Sequence, residues 1–364
     1  MSRPSPPKSP FPSKPPIAEA LSLKRICPAT PLWLGCVAWF ALAVDASGQS
    51  DRVFTTDGKT VSGAVTAISK GGVQVRVGRD NKAIPAGQIA KVLFEGDPPP
   101  LTQGRESSLD GQHDQAIEQL SKVSADDLKR DESKADAQFY LARSRGELAV
   151  AGRGDRGAAT KAVRAFITQH PESFHFYEAA ELLGDLALAV GRPDDAAKFY
   201  GALRGAPTTE TKARSIYLGA LASLRSGKPD EAVEQLDRLI GLPSSTSELS
   251  RLQTLAKAAK AEALSAAGKT DEAIALTDQL VADLDPVDVA ASAKIYNARG
   301  ATFEAADRHQ DAVLAYLKTH LMFAASARDH ARAVSRLSEV WTKVGKPDRA
   351  GQMRSLMQQL YPGY

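Results

Sequence analysis

Residues Glu178–Leu203 read EAAELLGDLALAVGRPDDAAKFYGAL. Ala180, Leu183, Gly184 and Ala187 recur at i, i+3, i+4 and i+7, so the first half predicts one apolar helical face. Gly191 stops that helix. Pro193, with its preset φ, and the acidic pair Asp194-Asp195, which suits the positive end of a helix dipole, start a second helix. The second helix presents Ala196, Tyr200 and Leu203 on one side. Ala196 must be small because the two helices cross there. The stretch predicts a helical hairpin.

The turn residue and the alanine five positions later recur along the chain. The pairs are Gly111/Ala116, Gly157/Ala162, Gly191/Ala196, Gly227/Ala232, Gly268/Ala273 and Gly345/Ala350, with Asp307/Ala312 as a variant copy. Successive turns are 46, 34, 36, 41, 39 and 38 residues apart. A period of that length predicts hairpins stacked into a solenoid, in which each unit lacks its own core and is held by its neighbours.

Further positions strengthen the pattern. Seven residues before the turns lie Gly104, Gly184, Ala220, Ala261, Gly300 and Ser338; nine after them lie Leu120, Phe166, Tyr200, Leu236 and Tyr316. Pro171, Pro243, Pro286 and Pro362 close units. The second unit departs, with Arg145 at the small position before Gly152 and an insertion, Arg153–Gly157, before its second helix; Thr277 and Arg354 depart at the large position.

These residues resemble the tetratricopeptide repeat family, over about 260 residues and in about seven copies. The resemblance implies a right-handed superhelix whose concave groove, lined largely by the first helix of each hairpin, holds protein or peptide partners. Carried over by alignment, the groove-facing positions are Glu178, Glu181, Asp185, Arg214, Tyr217, Leu221, Glu262, Lys294, Asn297 and Glu304. Their charge is mixed. The Lys/Asn/Arg carboxylate clamp of chaperone-binding relatives is not assembled, which argues against docking of an acidic chaperone tail.

Composition narrows the function. The net charge of +3 resides in residues 1–46, which hold Arg3, Lys8, Lys14, Lys24 and Arg25 against Glu19 and Asp45; the remainder carries 41 residues of each sign. No basic tract remains there to neutralise a phosphate backbone, and an aromatic content of 6% offers few platforms for stacking bases. Both cysteines, Cys27 and Cys36, lie in the same leader, so a processed chain holds no disulfide or thiolate metal site.

The leader itself reads as an address. A Pro/Ser/Lys-rich stretch ends in Lys24-Arg25, an apolar run follows from Pro31 to Val44, and small residues come next at Val44-Asp45-Ala46 and Ala46-Ser47-Gly48. Fourteen helical residues rise about 21 Å, short of the roughly 30 Å of a hydrocarbon core. Residues 1–48 therefore predict a secretory signal peptide cut after Ala46 or Gly48, and hence a periplasmic or cell-envelope protein. The competing readings are an uncleaved anchor through residues 31–44, a lipoprotein modified at Cys36, and a buried soluble helix.

Between leader and solenoid, residues 51–97 change to a period of two. Val53 begins a first strand and Asp57-Gly58 turns it. Thr60–Ile68 and Val73–Val77 alternate apolar and polar, a polar loop spans Gly78–Lys82, Ala83-Ile84-Pro85 follows, and Ile89–Phe94 closes the module before Pro98–Pro100. Gly63 suits a strand bend. Five short strands predict a small SH3-like barrel, with the solenoid at 98–364. The module serves as a cap or spacer for the solenoid, or binds peptide, glycan or RNA; Phe54 and Phe94 are its only aromatics, fewer than a peptide groove uses.

Apparent chemistry elsewhere has simpler readings. Gly152–Gly157 matches a dinucleotide fingerprint by letters, yet it follows a helical stretch rather than a strand. His170, Glu172 and His175 surround Pro171, which breaks the helical register a metal pair needs. That loop reads as an inter-repeat connection whose Phe174, Phe176 and Tyr177 staple the next helix. His309, His320 and His330 are scattered in sequence. The acidic pairs near the turns are helix starts. No catalytic residues, cofactor or metal are predicted. The sequence thus reads as an exported bacterial interaction scaffold, not an enzyme, with protein or peptide partners, no nucleic acid, and membrane contact only through an uncleaved leader. The alternative is an envelope module that binds glycan or peptidoglycan through the β-barrel.

Overall fold

In the computed structural model, which describes residues 50–363, five strands precede fourteen α-helices. The readings made for the leader lie outside the described residues. The strands are β1 (Asp51–Thr55), β2 (Thr60–Ser69), β3 (Gly72–Val77), β4 (Asp80–Pro85) and β5 (Ile89–Leu93). They form one antiparallel sheet in the order β4-β3-β2-β1-β5.

Two expectations for this region are corrected. The barrel is not closed: β4 and β5 are the two edges, joined through a 3-10 turn at Ala86–Gln88. The polar stretch Gly78–Lys82 is a turn only at Gly78-Arg79, because β4 begins at Asp80 and pairs with β3 down to Val77. Its residues Asp80 to Ala83 are exposed on an edge, where charged side chains discourage pairing with another chain. Gly63 does mark a close approach; a Cβ there would lie 2.3 Å from the Arg76 carbonyl oxygen, next to the register shift between Val65 and Ala67.

The helices are α1 (Pro99–Leu109), α2 (His113–Leu120), α3 (Asp131–Val150), α4 (Arg156–Gln169), α5 (Phe176–Ala189), α6 (Pro193–Gly201), α7 (Thr209–Arg225), α8 (Pro229–Ile240), α9 (Ser247–Ala266), α10 (Thr270–Ala282), α11 (Val289–Ala305), α12 (His309–Met322), α13 (Ala327–Lys343) and α14 (Pro347–Leu360). Each odd-numbered helix packs on the even-numbered helix that follows. Gly111, Gly152, Gly191, Gly227, Gly268 and Gly345 end the odd helices with φ between 71° and 80°, and Asp307 does so at 54°. Asp tolerates this left-handed region better than most side chains, which explains the variant copy.

The small and large positions prove to be one lock. A Cβ on Gly184 would sit 2.2 Å from the Tyr200 ring, one on Gly300 2.5 Å from the Tyr316 ring, and one on Gly104 2.5 Å from Leu120. Each glycine admits the large side chain of the partner helix. Ala116, Ala196, Ala232, Ala273, Ala312 and Ala350 are fully buried at the crossings. The pair Gly157/Ala162 is the exception. Gly157 lies inside α4, the turn glycine is Gly152, and the buried crossing residue is Ala159. Every other even helix begins two residues after its turn, whereas α4 begins four after, so the insertion is two residues long, Arg153-Gly154.

Sheet and helices form one compact unit. Phe174, expected to staple the next helix, instead packs into the sheet core with Val53, Val73, Val75, Ile84, Val92 and Phe94; Phe176 and Tyr177 do join the helical core. Beside this contact lies a buried charge cluster. Arg105 on α1 is fully buried and donates to Asp97 (2.8 Å) and to Asp136 on α3 (2.9 Å). His175 meets Asp136 at 2.9 Å and stacks on Phe139 at 3.7 Å between centroids. Burial lowers the pKa of His175, but its bonds to Asp136 and Glu178 raise it more, so the net direction is up. At the same end of the sheet, Asp51 accepts from the Glu95 amide and from Arg130 at 2.7 Å.

Candidate partner-binding face

The odd-numbered helices lie side by side, α1–α3–α5 and α7–α9–α11–α13, and ion pairs join them across one face. Arg143 on α3 donates to Glu178 on α5 at 2.7 Å. Arg214 on α7 grips Glu181 on α5 with two bonds of 2.5 Å, a bidentate fork that fixes geometry as well as charge. Lys294 on α11 meets Asp329 on α13 at 3.0 Å. Glu304 on α11 accepts from Tyr316 (2.7 Å) and Arg336 on α13 (2.9 Å).

Two pairs skip hairpins. Arg332 on α13 donates to Glu262 on α9 at 2.6 and 3.0 Å. Arg328, at the start of α13, donates to Asp185 on α5 at 2.8 Å and lies 3.6 Å from Glu147 on α3. The array therefore curls until its last hairpin faces its second and third. At the rim, the Gly363 amide donates to the Gly152 carbonyl at 2.7 Å, and Tyr361 is held by His330, which is in turn bonded to His320, both at 2.8 Å. Two of the three histidines that look scattered in sequence, His320 and His330, are thus neighbours.

A cavity of about 290 Å³ opens on this face, near the lower end of the sizes that hold small ligands. Phe139, Arg143, Glu147, Glu178, Glu181, Leu182, Asp185 and Arg214 line it. Among them, Glu178, Glu181, Asp185 and Arg214 are sequence-predicted groove positions; Arg143 and Glu147 are not. Desolvation raises the Glu147 carboxyl above its ordinary range; Arg328 opposes this and Asp185 adds to it.

The other predicted positions spread along the face. Glu262, Lys294 and Glu304 are ion-paired as described. Tyr217 is buried, and Leu221 is half-buried against the helical core. Asn297 is fully buried, its Nδ2 donating to the Asp329 carbonyl at 3.0 Å, so it supports α13. Sequence reasoning missed Arg328 and Arg332 because their partners lie 143 and 70 residues away. Their spacing of four, continued by Arg336, puts three arginines on one face of α13 and was the available signal.

A second cavity of about 290 Å³ lies where the sheet meets α3, lined by Ile68, Ala135, Pro171 and Phe174 with Asp131, Glu132, His170 and Glu172 among its polar residues. Ile68 is its only lining residue from the sheet. Among the described residues no group of three or more acidic, His or Cys side chains is placed to hold a metal, and no helix is long and apolar enough to cross a membrane.

Comparison with solved structures agrees on architecture. A Rap protein solved in complex with competence and sporulation factor superposes with a TM-score of 0.52 at 9% identity, over 72% of this chain and 73% of that one. A tetratricopeptide repeat protein from Parabacteroides merdae gives 0.47 at 14% identity, over 73% and 98%. NprR in complex with its cognate peptide NprX gives 0.45 at 13%, over 72% and 76%. The helical array has a tetratricopeptide-like fold. No protein-family model matches the chain, and no curated protein matches it in sequence.

Proposed function

We propose that this chain is a non-enzymatic scaffold that binds protein or peptide partners along the inner face of a seven-repeat array. The observation that carries the proposal is the row of ion-paired side chains from α3, α5, α7, α9, α11 and α13, held in fixed geometry, with an open cavity among those of α3, α5 and α7. Fixed, forked charges favour recognition, since little side-chain freedom remains to be lost on binding. The Rap protein, which shares the fold, was solved in complex with competence and sporulation factor, and that supports the same reading. Export is part of the proposal and rests on the leader alone.

The test is capture from the native cells by a C-terminally tagged full chain, with cross-linking before lysis. Arg214→Glu and Glu262→Lys should each cut recovery of the partner by at least about tenfold, the effect of removing one central contact. Equal recovery by both variants would exclude the inner face. N-terminal sequencing of the recovered chain should begin near Ser47 or Gln49; a chain beginning at Met1 would exclude cleavage.

A further inference from the structure

We propose that α13 acts as an internal ligand for the inner face: Arg328 and Arg332 hold the array closed, and the partner is a basic peptide whose arginine or lysine side chains replace them. The proposal rests on the inner-face reading and names its ligand class.

The charges of the cavity show why a cation belongs there. Arg143 and Arg214 are matched by Glu178 and Glu181. Glu147 and Asp185 remain, and the cation that reaches both is Arg328, drawn from the far end of the array. Withdrawing it leaves the Asp185 side chain, only 10% exposed, bonded to the Tyr200 hydroxyl. Arg214 and Arg143 then act on Asp185 and Glu147 without bonding them, and a poorly hydrated carboxylate with no bonded cation is costly, so the site favours another cation over emptiness. Glu262 repeats the arrangement with Arg332.

The contact is also suited to exchange. Arg328 is 41% exposed and Arg332 29% exposed, unlike Arg105, which is sealed. Arg328 sits in the first turn of α13, just after the loop that ends at the N-cap Ser326, so its release need not disrupt a helix interior. A competitor must carry positive charge at a spacing near the one-turn separation of Arg328 and Arg332. Peptides with two basic residues four apart satisfy that requirement. An acidic peptide meets Glu147, Asp185 and Glu262 and is repelled.

The experiment measures fluorescence anisotropy of the full chain with three labelled octapeptides: AARAAARA, its twin with citrulline at both arginines, and its twin with glutamate. If the internal arginines occupy the site more than nine-tenths of the time, removing them raises apparent affinity about tenfold or more. The variant R328A/R332A should therefore bind the arginine peptide at least about tenfold tighter than the parent chain, with no gain for the other two. Adding Asp185→Asn should abolish most of the gain, and R328K/R332K, which keeps the charges, should return to the parent's weak binding. Should the alanine variant not fold, R328Q alone should show the same order of peptides with a smaller gain. Equal affinity of parent and variant for the arginine peptide would overturn the internal-ligand role. An equal gain for citrulline would overturn the charge requirement while leaving a peptide-binding groove. Loss of native partner capture by the Arg214→Glu chain tests the underlying reading separately.

Discussion

Two clusters of arginine and carboxylate lie within a few helices of each other, and burial makes them different devices. Around Arg105 the guanidinium is fully buried, with Asp97 and Asp136 side chains 3% and 2% exposed. Around Arg328 the guanidinium keeps solvent contact and joins helices that are remote in sequence. In the sealed cluster, removing one partner strands charge without water. In the open one, the exposed guanidinium leaves room for another cation to take its place beside Asp185. The first anchors the sheet's exit to α1, α3 and the start of α5; the second is suited to recognition.

The comparison breaks most directly under paired alanine substitution. Arg105→Ala should cost about 3–5 kcal/mol, the range for breaking a buried pair, whereas Arg328→Ala, which leaves Asp185 with the Tyr200 hydroxyl, should cost less, about 1–3 kcal/mol. Urea unfolding followed by circular dichroism checks both, and equal costs would erase the distinction. Next in size, Gly184→Val should destabilise by about 1–3 kcal/mol, because its side chain meets the Tyr200 ring whose hydroxyl holds Asp185. That variant should also weaken the inner face, visible as lower partner recovery, while Gly201→Val, with open space around its Cβ position, should leave recovery unchanged.

Acid sharpens the comparison at the rim of closure. Burial lowers the pKa values of His320 and His330, and the neighbouring His320 lowers that of His330 further. The unfolded chain, with His near 6.5, then takes up protons first as pH falls. Stability from the His320–His330–Tyr361 chain is full above about pH 6.5 and declines below it. Amides of α14 should therefore exchange faster at pH 5.5 than at pH 7.5, after correction for intrinsic rates. Replacing both histidines with glutamine should flatten that difference. The smallest effect is a gain: Asp307→Gly should stabilise by about 0.5–1 kcal/mol, since glycine occupies positive φ without steric cost. No gain would mean that the Asp side chain offsets its backbone strain.

Local signals read well. The turn glycines, the buried alanines, the Pro and acidic helix starts, and the five strands, save the first half of β4, follow from neighbours within ten residues. Gly157 misled because its spacing to Ala162 matched the pattern by letters, while a two-residue insertion moved the true turn to Gly152 and the crossing to Ala159. The first half of β4 hid because an exposed edge carries Asp80, Asn81 and Lys82, residues typical of loops. Four of the predicted groove positions line the cavity together, since helical periodicity places them on one face. Their partners were illegible: Arg105 meets Asp136 across 31 residues and Arg328 meets Asp185 across 143, distances that no spacing rule spans.

The central claim, that partners bind the inner face, is tested most directly by photo-cross-linking in the native cells. A benzophenone side chain is placed in the full chain at Leu221, a predicted groove position, or at Leu314, which is 63% exposed on α12. The account predicts a discrete cross-linked partner from position 221 and none from position 314, with the 221 product lost in the Arg214→Glu background. A partner captured from 314 and not from 221 would contradict it.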